Sequence, residues 1–347
     1  MRLPRPLGIS APATYLPERR QSAREAVEQG LLDADTAAEL GYDRLPVADL
    51  APPEMAVEAS RRTLAEAGVP AGDLGLVLHA WIHYQGHDLW SPAHFIADRL
   101  GAGSATPVGV QQVCNGGAAA VELAAARLFL EPGLGPALIT TADAFLDPGF
   151  DRWTGDYGIG YGDGATALLL HRLEDAEGGR PAPLLLHALS TVAAPQLERM
   201  HRGDDPFSPA ARSLGPRVDI RRTKKAFLEA EGLEAFTEAS ARALQSAVTQ
   251  CLADAGWETT GDVPLRYVVA PRLGRKTVDL AYAPLLSKLT GAHLLHPGAD
   301  TGHLGAGDTA ASLAELHAAR MLEPGDHALL VSAGAGFTWS CLLVSAA

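Results

Sequence analysis

The sequence predicts a duplicated α/β protein, made of two copies of one unit in which a buried sheet is covered by helices. Three observations predict it. Two pairs of segments recur at nearly the same spacing along the 347 residues. The apolar runs lack polar alternation, so they read as strands buried on both faces. The helices between them are Ala-rich with small-residue faces, which allows close packing.

In chain order, TLAEAGVPAGDLGLVLHA (63–80) reads as a helix ending at Ala-Gly, a turn and a strand, and CLADAGWETTGDVPLRYVVA (251–270) repeats it. Gly68 and Gly256 stand 188 residues apart. AAAVELAAARLFLEPGLGPALITTADAF (118–145) reads as a helix, a Glu-Pro-Gly stop and a strand, and DTAASLAELHAARMLEPGDHALLVSAGAGF (308–337) repeats it. Gly133 and Gly325 stand 192 apart. Two independent pairs at so similar an offset mark a duplication. ATALLLH is a further strand. The Gly- and Pro-bearing HRLEDAEGGRPAP breaks the pattern and puts the boundary between 175 and 190, giving units 1–178 and 179–347. The halves are expected to pack sheet beside sheet around shared central helices. In open α/β sheets, sites lie where strands end and helices begin. VCNGG and HLGAGD both lie there, and Cys114 and Ala306 stand 192 apart, so a pseudo-twofold brings Cys114 to the 305–308 loop.

Composition narrows the function. Charged residues are 20% of the chain and the net charge is −13, which argues against nucleic acid as a main partner. No uninterrupted apolar run of membrane-spanning length appears, and the N-terminus MRLPRPLGISAPATYLPERR lacks the apolar core of a signal peptide. Cys114, Cys251 and Cys341 are too scattered for a disulfide framework or a zinc site. The expectation is a cytoplasmic protein with no membrane or metal. The one local basic stretch, ARSLGPRVDIRRTKKAF, holds Arg217, Arg221, Arg222, Lys224 and Lys225, and reads as a solvated helix face or as a dock for an acidic partner.

The chemistry centres on VGVQQVCNGGAAAVELAAARL (108–128). Cys114 falls between a strand and an Ala-rich helix. The positive end of that helix favours a thiolate. Asn115 is a good cap residue, and Gly116 and Gly117 let backbone and substrate approach. A thiolate so placed attacks acyl thioesters and carries the acyl group covalently. Cys251 and Cys341 read as core residues.

VCNGG, GDYGIGYGDGATALLL (155–170) and SAGAGFTWSCLLV (332–344) together resemble β-ketoacyl-ACP synthase III and its relatives in the thiolase superfamily, across nearly the whole chain. The resemblance implies the duplicated five-layered αβαβα thiolase fold and a homodimer. It makes Cys114 the acyl-accepting nucleophile, loaded from an acyl carrier protein or acyl-CoA, with no cofactor beyond the thioester's own phosphopantetheine or CoA. It implies that the turn Gly334-Ala335-Gly336 adds a backbone N–H to an oxyanion hole beside that of Cys114. ITTADAF and DLWSPAHF would line the acyl pocket and the dimer side.

The chain departs from the family's condensing enzymes at two places. Where those carry His in an HQAN-like motif, this chain reads VVAPRLGRKT, with Pro271 at the His and Gly274 at the Asn. Where they carry Asn in an NTSAAS-like motif, it reads GAGDTAAS, with Gly307 or Asp308. In the family that His–Asn pair stabilises the enolate left by decarboxylation. Pro offers no donor, and an ionised Asp308 repels an enolate. What remains suits acyl transfer to a hydroxyl, amine or carrier thiol, which needs a thiolate, an oxyanion hole and a general base. Two bases qualify: His303, five residues before Asp308 in TGHLGAGD, and His201 in LERMHRGDDPF. Acyltransferase relatives of secondary metabolism look similar in this GH-L-G-x-x-D stretch. A decarboxylating condensing enzyme and a non-catalytic thiolase-fold partner subunit are the other readings. His83 and His87 in WIHYQGHDLW, four apart, read as pocket or packing residues rather than a metal pair, and GIGYGDG lacks the strand–helix order of a dinucleotide loop.

Overall fold

The computed structural model describes residues 1–173, 182–210, 212–257 and 265–347. The expected unit boundary at 178/179 lies outside them.

Among the described residues twelve strands form in chain order: β1 (Arg2–Tyr15), β2 (Arg20–Ser22), β3 (Arg44–Pro46), β4 (Leu76–Ala80), β5 (Thr106–Val110), β6 (Ala137–Asp143), β7 (Gly164–Arg172), β8 (Leu184–Ala193), β9 (Leu265–Val269), β10 (His293–Leu295), β11 (His327–Gly334) and β12 (Thr338–Ala346). The helices are α1 (Ala23–Glu28), α2 (Ala34–Leu40), α3 (Pro52–Ala67), α4 (Pro92–Leu100), α5 (Gly116–Leu130), α6 (Arg199–Arg202), α7 (Ile220–Glu231), α8 (Leu233–Asp254), α9 (Arg275–Thr277), α10 (Ala283–Thr290) and α11 (Asp308–Ala318). The Ala-Gly repeat marks a helix stop in both copies: Gly68 and Gly256 take left-handed φ values of 64° and 83°, which glycine adopts without a Cβ penalty.

Ten strands run in the order β10-β9-β11-β12-β8-β1-β7-β6-β4-β5. Read outward from the centre, β1-β7-β6-β4-β5 and β8-β12-β11-β9-β10 have the same order. In each half the outer three strands are parallel and the inner two antiparallel to their neighbours. This is the duplication seen as topology. The halves join through β1 and β8, whose Leu7, Gly8 and Ile9 pair with Leu186, Leu185 and Leu184.

Apolar residues on both faces of each strand make the layers. Leu76, Leu78, Ile139, Leu168 and Leu170 on one side, with Leu330, Leu342 and Val344 on the other, enclose α5 and α11. The alternate residues Val77, Leu138 and Leu169 turn outward to α3 and α4. Val268, Leu329, Val331 and Leu343 turn outward to α8 and α10. The result is the expected five-layered αβαβα order. Helix α5 is apolar along most of its length, Glu122 and Arg127 aside, because sheets press on it from both directions. The stretch 113–130 has the length and hydropathy of a membrane span, a match by composition only, and Ala118, Val121, Ala124, Ala125 and Leu128 are core residues of this central layer.

Candidate active site

Between β5 and α5 the chain makes a tight turn. The Asn115 N–H donates to the Gln112 carbonyl at 3.1 Å and the Gly116 N–H to that of Val113 at 3.0 Å. Val113 sits at φ 48°, an uncommon conformation for a β-branched residue. Cys114 is thereby held partly exposed just before the helix, while Cys251 and Cys341 are buried, and all three are free thiols. Asn115 does not cap the helix with its side chain as its type led one to expect. Its Nδ2 donates instead to Ser340 Oγ on β12 at 2.9 Å, tying the cysteine turn to the other half.

Three glycine turns converge here because no side chain keeps them apart. A Cβ on Gly117 would stand 2.5 Å from the Ala306 carbonyl oxygen, and one on Gly116 3.2 Å from Ala306 Cβ. Residues 114–117 and 305–308 therefore meet, as their 192-residue offset implied. A Cβ on Gly334 would stand 2.5 Å from the Asn115 nitrogen, so the turn Gly334-Ala335-Gly336 opens against the cysteine turn. Phe337 closes that turn, exchanging backbone hydrogen bonds with Ala194 at 2.8 and 3.2 Å. The GIGYGDG segment holds the histidine loop in place. Gly160 and Gly162 bracket His303, whose N–H donates to Gly160 O at 2.8 Å and whose carbonyl accepts the Gly162 N–H at 3.0 Å.

His303 and Asp308 are 2% and 4% exposed, and Nδ1 of the ring donates to Asp308 Oδ2 at 2.7 Å. Asp308 also accepts the Leu304 N–H on Oδ1 at 2.9 Å and the Arg272 N–H on Oδ2 at 3.0 Å. Burial disfavours charge on the ring, yet the charges of Asp308 and Cys114 and its hydrogen bond to Asp308 hold its pKa well above the ordinary imidazole value. Burial likewise opposes the Asp308 carboxylate, but His303, Arg272 and the Leu304 N–H bring its pKa below the usual range. His303 Nε2 is buried with no hydrogen-bond partner among the described residues, and the Cys114 charge acts on the same ring.

His201 stands behind the Gly334-Ala335-Gly336 turn. Its ring packs on Phe337 with centroids 5.4 Å apart, and burial, with Lys224 nearby, pushes its pKa down to about 4. No hydrogen bond or ion pair among the described residues joins it to Cys114. The basic stretch is not a bare patch either. Lys224 donates to the buried Asp156 at 2.5 Å, Arg222 pairs with Asp205, Arg217 with Asp147 and Lys225 with Glu229. Arg221 donates to the Asp156 carbonyl and lies over the Tyr157 ring. Two of the five cations, Arg221 and Lys224, clasp the 156–157 strap rather than face solvent as a docking surface.

Three residues near the site escaped sequence reasoning. Tyr161 stands edge-on to His303, ring centroids 5.2 Å apart, and its hydroxyl donates to Asp156 at 3.0 Å. Asp143, at the end of β6, is fully buried and accepts the N–H groups of Ile82, His83 and Ala306 at 2.9, 2.8 and 3.2 Å. Burial outweighs those bonds and pushes its pKa up to about 7. A carboxylate closing a strand buried on both faces was the available signal. Arg272 is the third. His83 stacks on Phe145 and His87 packs against Trp90. Among the described residues no three His, Cys, Asp or Glu side chains gather as a metal site would require.

Comparisons with known proteins agree with this architecture. Residues 275–346 match the family described as 3-oxoacyl-[acyl-carrier-protein] synthase III C terminal. The mycobacterial β-ketoacyl-[acyl-carrier-protein] synthase III of Mycobacterium marinum is 23% identical, over 97% of this chain and 95% of that protein. The structure of 3-oxoacyl-[acyl-carrier-protein] synthase III from Aquifex aeolicus shares the fold, with a TM-score of 0.77 at 18% identity over 98% of this chain and 99% of that one. The acyltransferase ChlB3 is 34% identical over 98% of both chains, with a TM-score of 0.85. The chain belongs to the family of enzymes built like 3-oxoacyl-[acyl-carrier-protein] synthase III within the thiolase superfamily.

Proposed function

We propose that this protein is an acyltransferase of secondary metabolism that carries an acyl group on Cys114, taking it from an acyl carrier protein or CoA thioester and giving it to a hydroxyl, amine or carrier thiol. The observation that carries the reading is the buried His303–Asp308 pair beside Cys114. In a condensing enzyme of this family the corresponding loop supplies an amide to an enolate. Here it supplies an ionised carboxylate, which repels an enolate but orients and charges an imidazole.

The steps follow from the groups present. The Cys114 thiolate attacks the thioester carbonyl, and the tetrahedral oxyanion is met by the Cys114 N–H and the turn at Gly334-Ala335-Gly336. Collapse expels the donor thiolate, which takes the proton held on His303 Nε2. The neutral ring then removes the acceptor's proton as its oxygen, nitrogen or sulfur attacks acyl-Cys114, and the cysteine leaves as a thiolate. Asp308 keeps the ring in the tautomer that exposes Nε2 throughout.

ChlB3, an acyltransferase, supports the class, and the synthase III relatives support an acyl-thioester donor. The three free cysteines suit a reducing cytoplasm. We also propose a homodimer, because β5 is an edge strand whose Thr106 and Gly109 are exposed, next to exposed Val113 and Leu123. Product analysis with malonyl-carrier as sole extender separates the reaction classes. Transfer without release of carbon dioxide is the expected result, and a ketoacyl product overturns the reading.

A further inference from the structure

The resemblance to condensing enzymes puts Pro271, which offers no side-chain donor, where they carry His. The structure shows what the segment does instead. Arg272 is 1% exposed and follows β9 closely. Its backbone N–H donates to Asp308 Oδ2 at 3.0 Å, the oxygen that holds His303. Its guanidinium reaches two further places: Nη1 donates to Thr301 Oγ1 at 2.8 Å and Nη2 to Glu315 Oε1 at 2.7 Å. Thr301 lies two residues before His303, and Glu315 lies two helical turns after Asp308 along α11. One residue thus ties down both pieces of chain that carry the pair. Gly298, at φ 112°, leaves the room: a Cβ there would stand 3.1 Å from Arg272 Cβ.

We propose that Arg272 is a positioning residue for acyl transfer, a buried cation that fixes Asp308 and through it the charged ring of His303. This rests on the reading of Cys114 and His303 given above. The charges alternate from the site outward: His303, Asp308, Arg272, then the half-exposed Glu315. Arg272 favours the ionised Asp308. The other titratable groups facing His303 are Cys114, Tyr161 and Asp143, and Tyr42 faces Arg272 through a hydroxyl bond to its carbonyl at 3.0 Å. A guanidinium is suited to this place because its fork spans Thr301 and Glu315 at once, which an ammonium on a flexible stem does not.

The test compares Arg272→Met and Arg272→Lys with the unaltered protein. Cys114 is alkylated with iodoacetamide between about pH 5.5 and 9, spanning the imidazole range, and acyl transfer is followed separately. Arg272→Met is expected to lower the alkylation rate near neutrality by about tenfold or more, the scale of a misplaced catalytic group. Its rate should rise only at higher pH, and kcat should fall with KM little changed. Arg272→Lys, which keeps the charge without the fork, should fall between the two. A purely structural role lowers the melting temperature without moving the profile. A folded Arg272→Met with the parent's profile overturns the proposal. If that variant does not fold, a parental profile in Arg272→Lys overturns it instead. A parent protein whose Cys114 alkylates as expected but never loads from any thioester refutes the acyl-transfer reading, while the alkylation profiles still decide whether Arg272 fixes the Asp308–His303 pair.

Discussion

His303 donates its Nδ1–H to Asp308 Oδ2 across 2.7 Å, and its Nε2 is buried without a hydrogen-bond partner among the described residues. That relationship fixes the sign of several measurements.

The pair should stabilise the fold over a bounded pH range. The folded His303 pKa is raised, so its contribution is full below the ordinary imidazole value and lost as pH rises through the raised one. The folded Asp308 pKa is lowered, so its contribution is full above the ordinary carboxylate value and lost as pH falls through the lowered one. Both are therefore complete from about pH 4 to 6.5. Asp308→Asn should cost about 3–5 kcal/mol in that window, as when one partner of a buried pair is removed. Urea melts at rising pH should show the difference shrinking, and a constant difference contradicts the assignment.

The two histidines should separate cleanly. His303→Ala should slow acyl transfer by about 10²–10⁴-fold, the usual loss with a general base. His201→Ala should stay within about tenfold, because its ring is neutral and packed on Phe337 rather than joined to Cys114. Rates of single-turnover transfer in the folded variants decide it, and the reverse ranking moves the base to His201.

Close backbone approach can be tested at Gly334. An added methyl would stand 2.5 Å from Asn115 N, so Gly334→Ala must push the cysteine turn away from β11. Cys114 loading should fall by about 10²-fold, as for a roughly 1 Å displacement at a reacting group. Loading at the parental rate means that this turn contributes no donor.

Asp143 predicts a pH trend opposite to that of Asp308. Its pKa is pushed up to about 7 by burial, so the folded state binds a proton the unfolded chain has released. Through this group stability falls as pH rises from about 4 to 7. Asp143→Asn removes that slope. The amide also turns a donor toward one N–H it should accept, at a cost of about 1–3 kcal/mol. Denaturant titrations at several pH values read both effects, and an unchanged slope contradicts them.

How much of this was legible in the sequence follows from what each feature depends on. The duplication was readable because Gly68 and Gly256 end helices the same way in both copies, and glycine stops are local. The meeting of Cys114 with the 305–308 loop followed from the pseudo-twofold offset. Arg272 was not readable, because a buried guanidinium depends on Thr301 and Glu315, contacts made only after folding. Asn115 misled for the same reason: its type suits a cap, but Ser340 on a distant strand offers its side chain a partner. On α7, Arg222 and Lys225 are exposed as a solvated helix face requires, whereas Lys224 meets the buried Asp156 through a contact made only on folding.

The most direct measurement is intact mass of the protein after incubation with a panel of acyl thioesters, run beside Cys114→Ala and followed by addition of nucleophilic acceptors. The account predicts one acyl group per chain, located on Cys114 by peptide mapping, absent from the variant and discharged onto an acceptor. An acyl adduct that persists in Cys114→Ala, or a parent protein that no thioester loads, contradicts it.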